Sequence, residues 1–270
     1  IDEIDKISDQ DWKESLSQRK IAELAFHDKN RDKKEFGNTK FDTYEKFYGN
    51  KKYYTVTRRS SQYVKDWIAK ESKDKVFLDY ACGNGGNAIF AAQKGAALSL
   101  GFDISGVSVA NARNAAASAG GDIRFFQADA ENTKLPDNCI DVIVCSGMLH
   151  HLDLSYAFPE LRRILKPGGK ILAVEALDYN PFIKLYRLLT PDMRTEWEKA
   201  HILNLADVKF ASRFFRIGDI KYWHVIGYVA GKFPSLFPLA DKIDQTLEKI
   251  PYIQRMAWIF TFVMEKKVFD

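Results

Sequence analysis

Three aspartates stand at the ends of short apolar runs, and a glycine-rich turn follows the first. Asp79 lies in Val76-Phe77-Leu78-Asp79-Tyr80, Asp103 closes Leu98-Ser99-Leu100-Gly101-Phe102, and Asp129 follows Arg124-Phe125-Phe126-Gln127-Ala128. Between the first two lies Gly83-Asn84-Gly85-Gly86-Asn87-Ala88, which fits the dinucleotide fingerprint G-x-G-x-x-G/A. Asp103 is 20 positions after Gly83, where a ribose-binding acid belongs. The glycines let a ligand approach the backbone and allow positive φ. A carboxylate is an acceptor-only group, so Asp103 can take both hydroxyls of a ribose. Asp129 can accept from the exocyclic amine of an adenine, with the Ala130 N–H available to a ring nitrogen. Asn84 and Asn87 read first as turn residues.

Asp79 separates two ligands that the turn alone does not. A dinucleotide brings a dianionic pyrophosphate to such a turn, and a carboxylate four residues before Gly83 would repel it. S-adenosylmethionine carries a sulfonium and an ammonium and no phosphate, so the same carboxylate suits it. The alternative is that Asp79 braces the turn structurally. Without Asp79 and Asp129, an NAD-linked oxidoreductase would fit equally well, and a non-catalytic nucleoside-binding protein stays open.

The remaining candidates lie further along. His150-His151 follows the run Ile140–Cys145, and a histidine can act as a base near neutral pH. The alternative is hydrogen bonding within the loop, and two adjacent histidines do not by themselves make a metal site. Glu175 ends a later strand and points to the same sheet edge, where it can orient a substrate amine or hydroxyl. His201 and His224 read as structural. Residues 41–54 are dense in aromatics, either a packed cap or a lid in which Tyr44, Tyr53 or Tyr54 faces the sulfonium by cation–π contact. Lys51-Lys52 and Arg58-Arg59 read as a solvated face or a contact for an acidic acceptor.

The elements that must position these groups alternate. Residues 76–80, 98–103, 123–128, 140–145 and 170–176 read as strands, with helices over 87–94, 107–118 and 155–165 between them. Lys166-Pro167-Gly168-Gly169 stops the last of these helices. The pattern predicts an α/β fold, a Rossmann-like doubly wound, mostly parallel sheet with ligands at the carboxyl ends of its strands. Residues 1–70 read as a helical cap or lid, with an amphipathic helix around Ile21, Leu24 and Ala25; residues 71–270 read as the main domain, with insertions at about 178–255. Beyond residue 177, helices are expected over 181–189 and 194–206, a strand over 208–215, turns and apolar stretches and then an amphipathic helix over 217–250, and a final strand over 257–264. The apolar stretch 222–240 reads as packing or as a surface for a lipophilic substrate or membrane.

Composition excludes several classes. With 40 basic and 36 acidic residues, net +4, the chain lacks the charge of an obligate nucleic-acid binder. The hydrophobic fraction of 46% supports a sizeable core. Cys82, Cys139 and Cys145 have no metal or disulfide spacing, which points to a reducing cytoplasm. Ile1-Asp2-Glu3 opens a polar stretch unlike a signal peptide, and the run from Met256 to Met264 is far short of a membrane span.

Residues 76–177 resemble the class I S-adenosylmethionine-dependent methyltransferases, and most of all the branch with the ubiquinone- and menaquinone-biosynthesis enzymes. The matching segments are Leu78-Asp79-Tyr80-Ala81-Cys82-Gly83-Asn84-Gly85, Gly101-Phe102-Asp103-Ile104-Ser105, Gln127-Ala128-Asp129-Ala130, Asp141-Val142-Ile143-Val144-Cys145 and Leu165-Lys166-Pro167-Gly168-Gly169-Lys170. The resemblance implies an antiparallel last strand, S-adenosylmethionine as cofactor, and methyl transfer to an oxygen or nitrogen of a small-molecule acceptor. It also implies a cofactor site drawn from Asp79, Ala81, Gly83, Gly85, Asp103, Ile104, Asp129, Ala130 and Ser146, with Tyr44 and Tyr54 from the lid. His150 and His151 fall at the transfer site, and Glu175 with His151 at the acceptor. Ala81 stands where the family often has glycine, which is tolerable if its backbone stays at negative φ.

Overall fold

The computed structural model describes residues 9–31, 57–191, 194–227 and 234–267, with isolated positions before residue 9. Ahead of the sheet come α1 (Asp9–Glu14), α2 (Gln18–Arg31) and α3 (Arg58–Glu71). The alternating core follows as β1 (Val76–Tyr80), α4 (Gly86–Gln93), β2 (Leu98–Asp103), α5 (Gly106–Ala116), β3 (Ile123–Gln127), β4 (Ile140–Ser146), α6 (Leu154–Ile164) and β5 (Leu165–Ala176). Then come α7 (Pro181–Leu189), α8 (Glu196–Ala200), α9 (Leu205–Ala211), β6 (Phe215–Trp223), α10 (Phe237–Leu247) and β7 (Ile259–Lys266).

The strands form one seven-stranded sheet in the order β3-β2-β1-β4-β5-β7-β6. Pairings from β3 through β5 are parallel, and β7 runs antiparallel to both its neighbours. This is the expected Rossmann-like sheet with an antiparallel last strand. The chain runs outward from β1 to β3 and crosses back to β4, so β1 and β4 flank the point where strand order reverses. A crevice opens there, at the carboxyl ends of the strands.

Helices cover both faces, which is why the central strands carry apolar residues on both sides. Phe77 faces one layer, where Val64, Trp67 and Ile68 of α3 pack against Val142, Val144 and Leu172. Leu78 and Tyr80 face the other, with Phe102, Phe126, Phe158, Phe260 and Phe262, all fully buried. The Tyr80 hydroxyl donates to the Ala130 carbonyl, tying β1 to the loop after β3.

The later segment departs from expectation. Residues 208–215 were expected as a strand, but 205–211 are helical. Asn204 accepts from the Ala206 N–H (2.7 Å) and Asp207 reaches back to the Asn204 N–H (2.8 Å), so capping starts a helix despite the β-branched and aromatic residues. The strand comes next, as β6, running into the stretch expected to hold turns and apolar runs. In α2 the expected apolar face is divided: Leu24 is buried beside Glu23, whereas Ile21 is 42% exposed and Ala25 is also exposed. The aromatic segment 41–54 and Lys51-Lys52 lie outside the described residues. Arg59, expected on a solvated face, instead bridges Asp241 (2.6 Å) and both oxygens of Glu248 (2.7 Å each) on and just after α10. Among the described residues, no helix is long and apolar enough to cross a membrane.

His224, 1% exposed, sits beside this ion-pair cluster with Nε2 2.9 Å from Ser60 Oγ. Burial and then the Arg59 charge lower the imidazole from 6.5 to about 4. A folded-state value below the unfolded one means that the unfolded chain takes up the proton first as pH falls. Stability from neutral His224 is therefore intact above about 6.5 and is lost toward 4, by about 3 kcal/mol in all. His224→Asn stays neutral and tolerates the left-handed backbone (φ 65°) at this position. Urea melts across this range are expected to show the wild type losing ground to the variant as pH falls; parallel curves would rule out a neutral buried His224.

Candidate functional site

The glycine turn is held by its own backbone and by Asp103. The Cys82 N–H donates to the Phe102 carbonyl (2.7 Å), the Gly83 N–H to Asp103 Oδ2 (2.8 Å) and the Ser105 N–H to Asp103 Oδ1 (3.0 Å). Asp103 is 4% exposed and lines the crevice. A carboxylate is an acceptor-only group, the kind that suits ribose hydroxyls. Gly85, the residue before α4, is left-handed (φ 77°).

Asp79 is also buried, but it faces the turn rather than the crevice. Its oxygens accept from Asn87 Nδ2 (3.2 Å) and the Ala88 N–H (3.3 Å). Burial pushes its carboxyl up to about 7, against the pull of those donors. The bracing alternative thus describes its contacts. Ala81 departs from expectation outright: its φ is 54°, not negative. A Cβ in this region costs about 1–2 kcal/mol, part of which glycine returns as unfolded-chain entropy. Ala81→Gly is expected to raise Tm by roughly 2 °C in calorimetry; a fall would mean that the alanine methyl packs better than its backbone strains.

The crevice is lined from the carboxyl strand ends by Ala81, Asp103, Ile104, Asp129, Ala130 and Ser146, all expected cofactor residues, and by His151. Gly83, Gly85, His150 and Glu175 do not line it, and Tyr44 and Tyr54 lie outside the described residues. Across the opening lies α2, whose Arg19, Lys20, Glu23 and His27 form the opposite wall. Lys20 Nζ pairs with Asp129 Oδ2 (2.6 Å) and Glu131 Oε2 (2.9 Å), and Asp129 Oδ1 accepts from the Glu131 N–H (2.9 Å). Asp129, expected to meet an adenine amine, is thus engaged by a lysine. Arg19 donates to Glu131 and to the His151 carbonyl (2.9 Å).

The histidine pair is built into a carboxylate frame. Glu175, expected at the acceptor, is 2% exposed and committed to the loop: Oε1 accepts from the Met148 and Leu149 N–H groups (2.8 and 2.7 Å), and Oε2 lies 2.7 Å from His150 Nδ1. His150 Nε2 is 3.4 Å from Glu198 Oε1. Burial alone would lower His150, but Glu175 and Glu198 raise it to about 9. Both of its ring nitrogens face carboxylates, Nδ1 toward Glu175 and Nε2 toward Glu198. Burial would raise Glu198, but the His150 hydrogen bond and both imidazoles bring it down to about 2. His151 Nδ1 is 3.0 Å from Glu23 Oε2, and Thr195 donates to Glu23 Oε1 (2.5 Å).

Sequence reading passed over the α2 wall. Arg19, Glu23 and His27 recur every four residues, a stripe that also describes a solvated face. Glu198 was legible only as the partner of Thr195 in a capping box, which the structure contains.

Residues 77–169 match a family model described as a methyltransferase domain. Demethylmenaquinone methyltransferase of Thermus thermophilus is 33% identical over 110 residues, covering 40% of this chain and 50% of that protein. The 27-O-demethylrifamycin SV methyltransferase of Amycolatopsis mediterranei is 36% identical over 97 residues, covering 35% of this chain and 36% of that protein. The chain thus spans about half the length of the first relative and less of the second. Magnesium protoporphyrin IX methyltransferase from Synechocystis PCC 6803 superimposes with a TM-score of 0.58 at 16% identity, over 91% of this chain and 100% of that one. The cyclase SpnF superimposes at 0.56 and 19% identity, over 78% and 83% of the two chains. These structural likenesses establish the fold, and the cyclase illustrates that the fold alone does not select a reaction.

Proposed function

We propose that this chain, whose residues 77–169 match a methyltransferase-domain model, transfers a methyl group from S-adenosylmethionine to an oxygen of a small-molecule acceptor. The observation that carries the reading is Asp103, a buried carboxylate at the end of β2 whose two oxygens are fixed by the Gly83 and Ser105 N–H groups beside the crevice. That donor set fits the cofactor: an acceptor-only group for the two ribose hydroxyls, a glycine turn for the amino-acid part, and Ile104, Asp129 and Ala130 around the adenine.

Bound S-adenosylmethionine supplies an electrophilic methyl group on a sulfonium. What the chain adds is alignment and exclusion of water. Ser146 and Gly147 at the end of β4, and Met148 after them, close the side of the crevice that leads to His151. His151 lines that side with its ring oriented by Glu23. The rifamycin relative named for an O-methyl position supports oxygen as the target; relatives named C-methyltransferases of ubiquinone and menaquinone biosynthesis make carbon the competing target. The free thiols of Cys82, Cys139 and Cys145 suit a cytoplasmic setting.

Calorimetric titration with S-adenosylhomocysteine and with NADH tests the cofactor. Binding of the first alone is expected; binding of NADH alone would overturn the proposal. For the acceptor, a panel of phenols, hydroxyquinones and macrolide alcohols is incubated with S-adenosylmethionine, and products are read by mass and carbon NMR. A methoxy carbon supports the reading, whereas a carbon-bound methyl overturns its oxygen assignment.

A further inference from the structure

We propose that His150, His151 and Glu198 form a binding site for a first-row transition dication, with zinc as the reference ion. One ligand atom from each of the three residues lies within 4.8 Å of the others. His150 Nε2 and His151 Nε2 are 3.4 and 3.8 Å from Glu198 Oε1. Zinc–nitrogen and zinc–oxygen bonds of about 2.1 Å set tetrahedral ligand–ligand edges of about 3.4 Å. Both nitrogen–oxygen distances therefore lie within a few tenths of an ångström of such an edge.

What distinguishes it from an ordinary ion-pair knot is the second layer. Each histidine has its Nδ1 against a different buried carboxylate: Glu175 for His150 at 2.7 Å, and Glu23 for His151 at 3.0 Å. That arrangement fixes the ring orientation and puts the proton on Nδ1, so Nε2 is the ligating nitrogen on both rings. Both Nε2 atoms face the same oxygen of Glu198. Glu175 is in turn fixed by the Met148 and Leu149 N–H groups, Glu23 by the Thr195 hydroxyl, and Glu198 by the Thr195 N–H (3.1 Å). Mixed nitrogen and oxygen ligands favour zinc, cobalt, nickel, manganese or iron over magnesium and calcium. Three protein ligands leave a position for water or for an oxygen of a bound molecule, and His151 already lines the crevice.

Two other groupings are weaker. Glu23, His27 and His151 share atoms with the second layer just described, so that site would dismantle the frame around His151. In the cluster of His224, Asp244 and Glu248, Asp244 accepts from the Ile226 and Gly227 N–H groups and Glu248 holds Arg59. The proposal does not rest on the methyl-transfer reading, since metal binding is measured without cofactor or acceptor.

The test uses the full untagged chain, stripped with a chelator and titrated with zinc, with cobalt as the spectroscopic probe. Wild type is expected to bind one zinc per chain and to give cobalt a ligand-field spectrum of low-coordinate nitrogen and oxygen ligands. Losing a second-layer partner costs metal sites about 10–100-fold in affinity, and losing a ligand costs more. Glu23→Gln is thus expected to fall in that range, and His150→Ala, His151→Ala and Glu198→Gln beyond it, while His27→Ala stays at wild-type affinity. Thermal melts keep the test interpretable: zinc should raise the Tm of wild type and of His27→Ala, but not of Glu198→Gln. No zinc uptake by wild type, equal affinity in Glu198→Gln, or loss confined to His27→Ala would each overturn the assignment.

Discussion

Asp103→Ala is expected to weaken S-adenosylhomocysteine binding by at least about a hundredfold while leaving the sheet folded. Two hydrogen bonds from ribose hydroxyls to a carboxylate are lost, each worth about 1.5–3 kcal/mol, and every 1.4 kcal/mol is a factor of about ten in affinity. The substitution also takes the acceptors away from the Gly83 and Ser105 N–H groups. The turn nevertheless keeps the Cys82 bond to Phe102 and the Gly85 bond to Cys82 (2.9 Å), and α5 keeps the Ser105 hydroxyl at the Ser108 N–H (3.0 Å). Asp103→Asn separates the two effects. It has nearly the same shape and can still accept from one backbone group, so its Tm should lie near wild type while its affinity falls between those of wild type and Asp103→Ala. Calorimetric titration reads the affinity and circular dichroism the fold. An unchanged dissociation constant in Asp103→Ala would place the ribose elsewhere and remove the main support for the proposed function.

What the chain's letters reveal divides along a physical line. The alternating core was legible because buried parallel strands must be apolar on both faces, and because Lys166-Pro167-Gly168-Gly169 interrupts the pattern visibly. The strand-end residues Asp103, Ile104, Asp129 and Ala130 were legible for the same reason: position at a strand's carboxyl end follows from the strand. The α2 wall was not. Whether Arg19, Lys20, Glu23 and His27 face water or a crevice depends on how the helix docks, and periodicity alone favoured the face of Ile21, which turned out 42% exposed. Glu175 shows the complementary limit. Its place at the end of β5 was read correctly, but not its partners, because the N–H groups of Met148 and Leu149 belong to a neighbouring strand's loop. Residues 208–223 failed on local competition: a cap at Asn204 outweighed strand propensity and pushed β6 further along the chain.

Gly85→Ala is the substitution expected to cost most in the fold itself. At φ 77° the backbone is in the left-handed region, where any Cβ is strained by about 1–2 kcal/mol. The added carbon would also lie 2.5 Å from Phe125 Cζ, 2.6 Å from Phe125 Cε1 and 3.0 Å from the Ala112 Cβ. Phe125 has little room to move. It is 4% exposed, it packs with Ala88, Val109 and Ala112, and the same ring edge also lies under Gly101, where a Cβ would stand 2.6 Å from Cε1. Overpacking of this kind costs about 1–3 kcal/mol. Together the terms predict a loss of about 2–5 kcal/mol and a Tm lower by roughly 5–15 °C. The same shift carries the Gly83 N–H off Asp103, so cofactor affinity should fall with stability. The double variant Gly85→Ala/Phe125→Leu isolates the two causes. A smaller side chain at 125 relieves the clash and leaves φ unchanged, so about half of the lost Tm should return relative to Phe125→Leu alone. Full recovery would mean that the left-handed turn tolerates a methyl group; no recovery would mean that the Phe125 contact is not what glycine serves at this position.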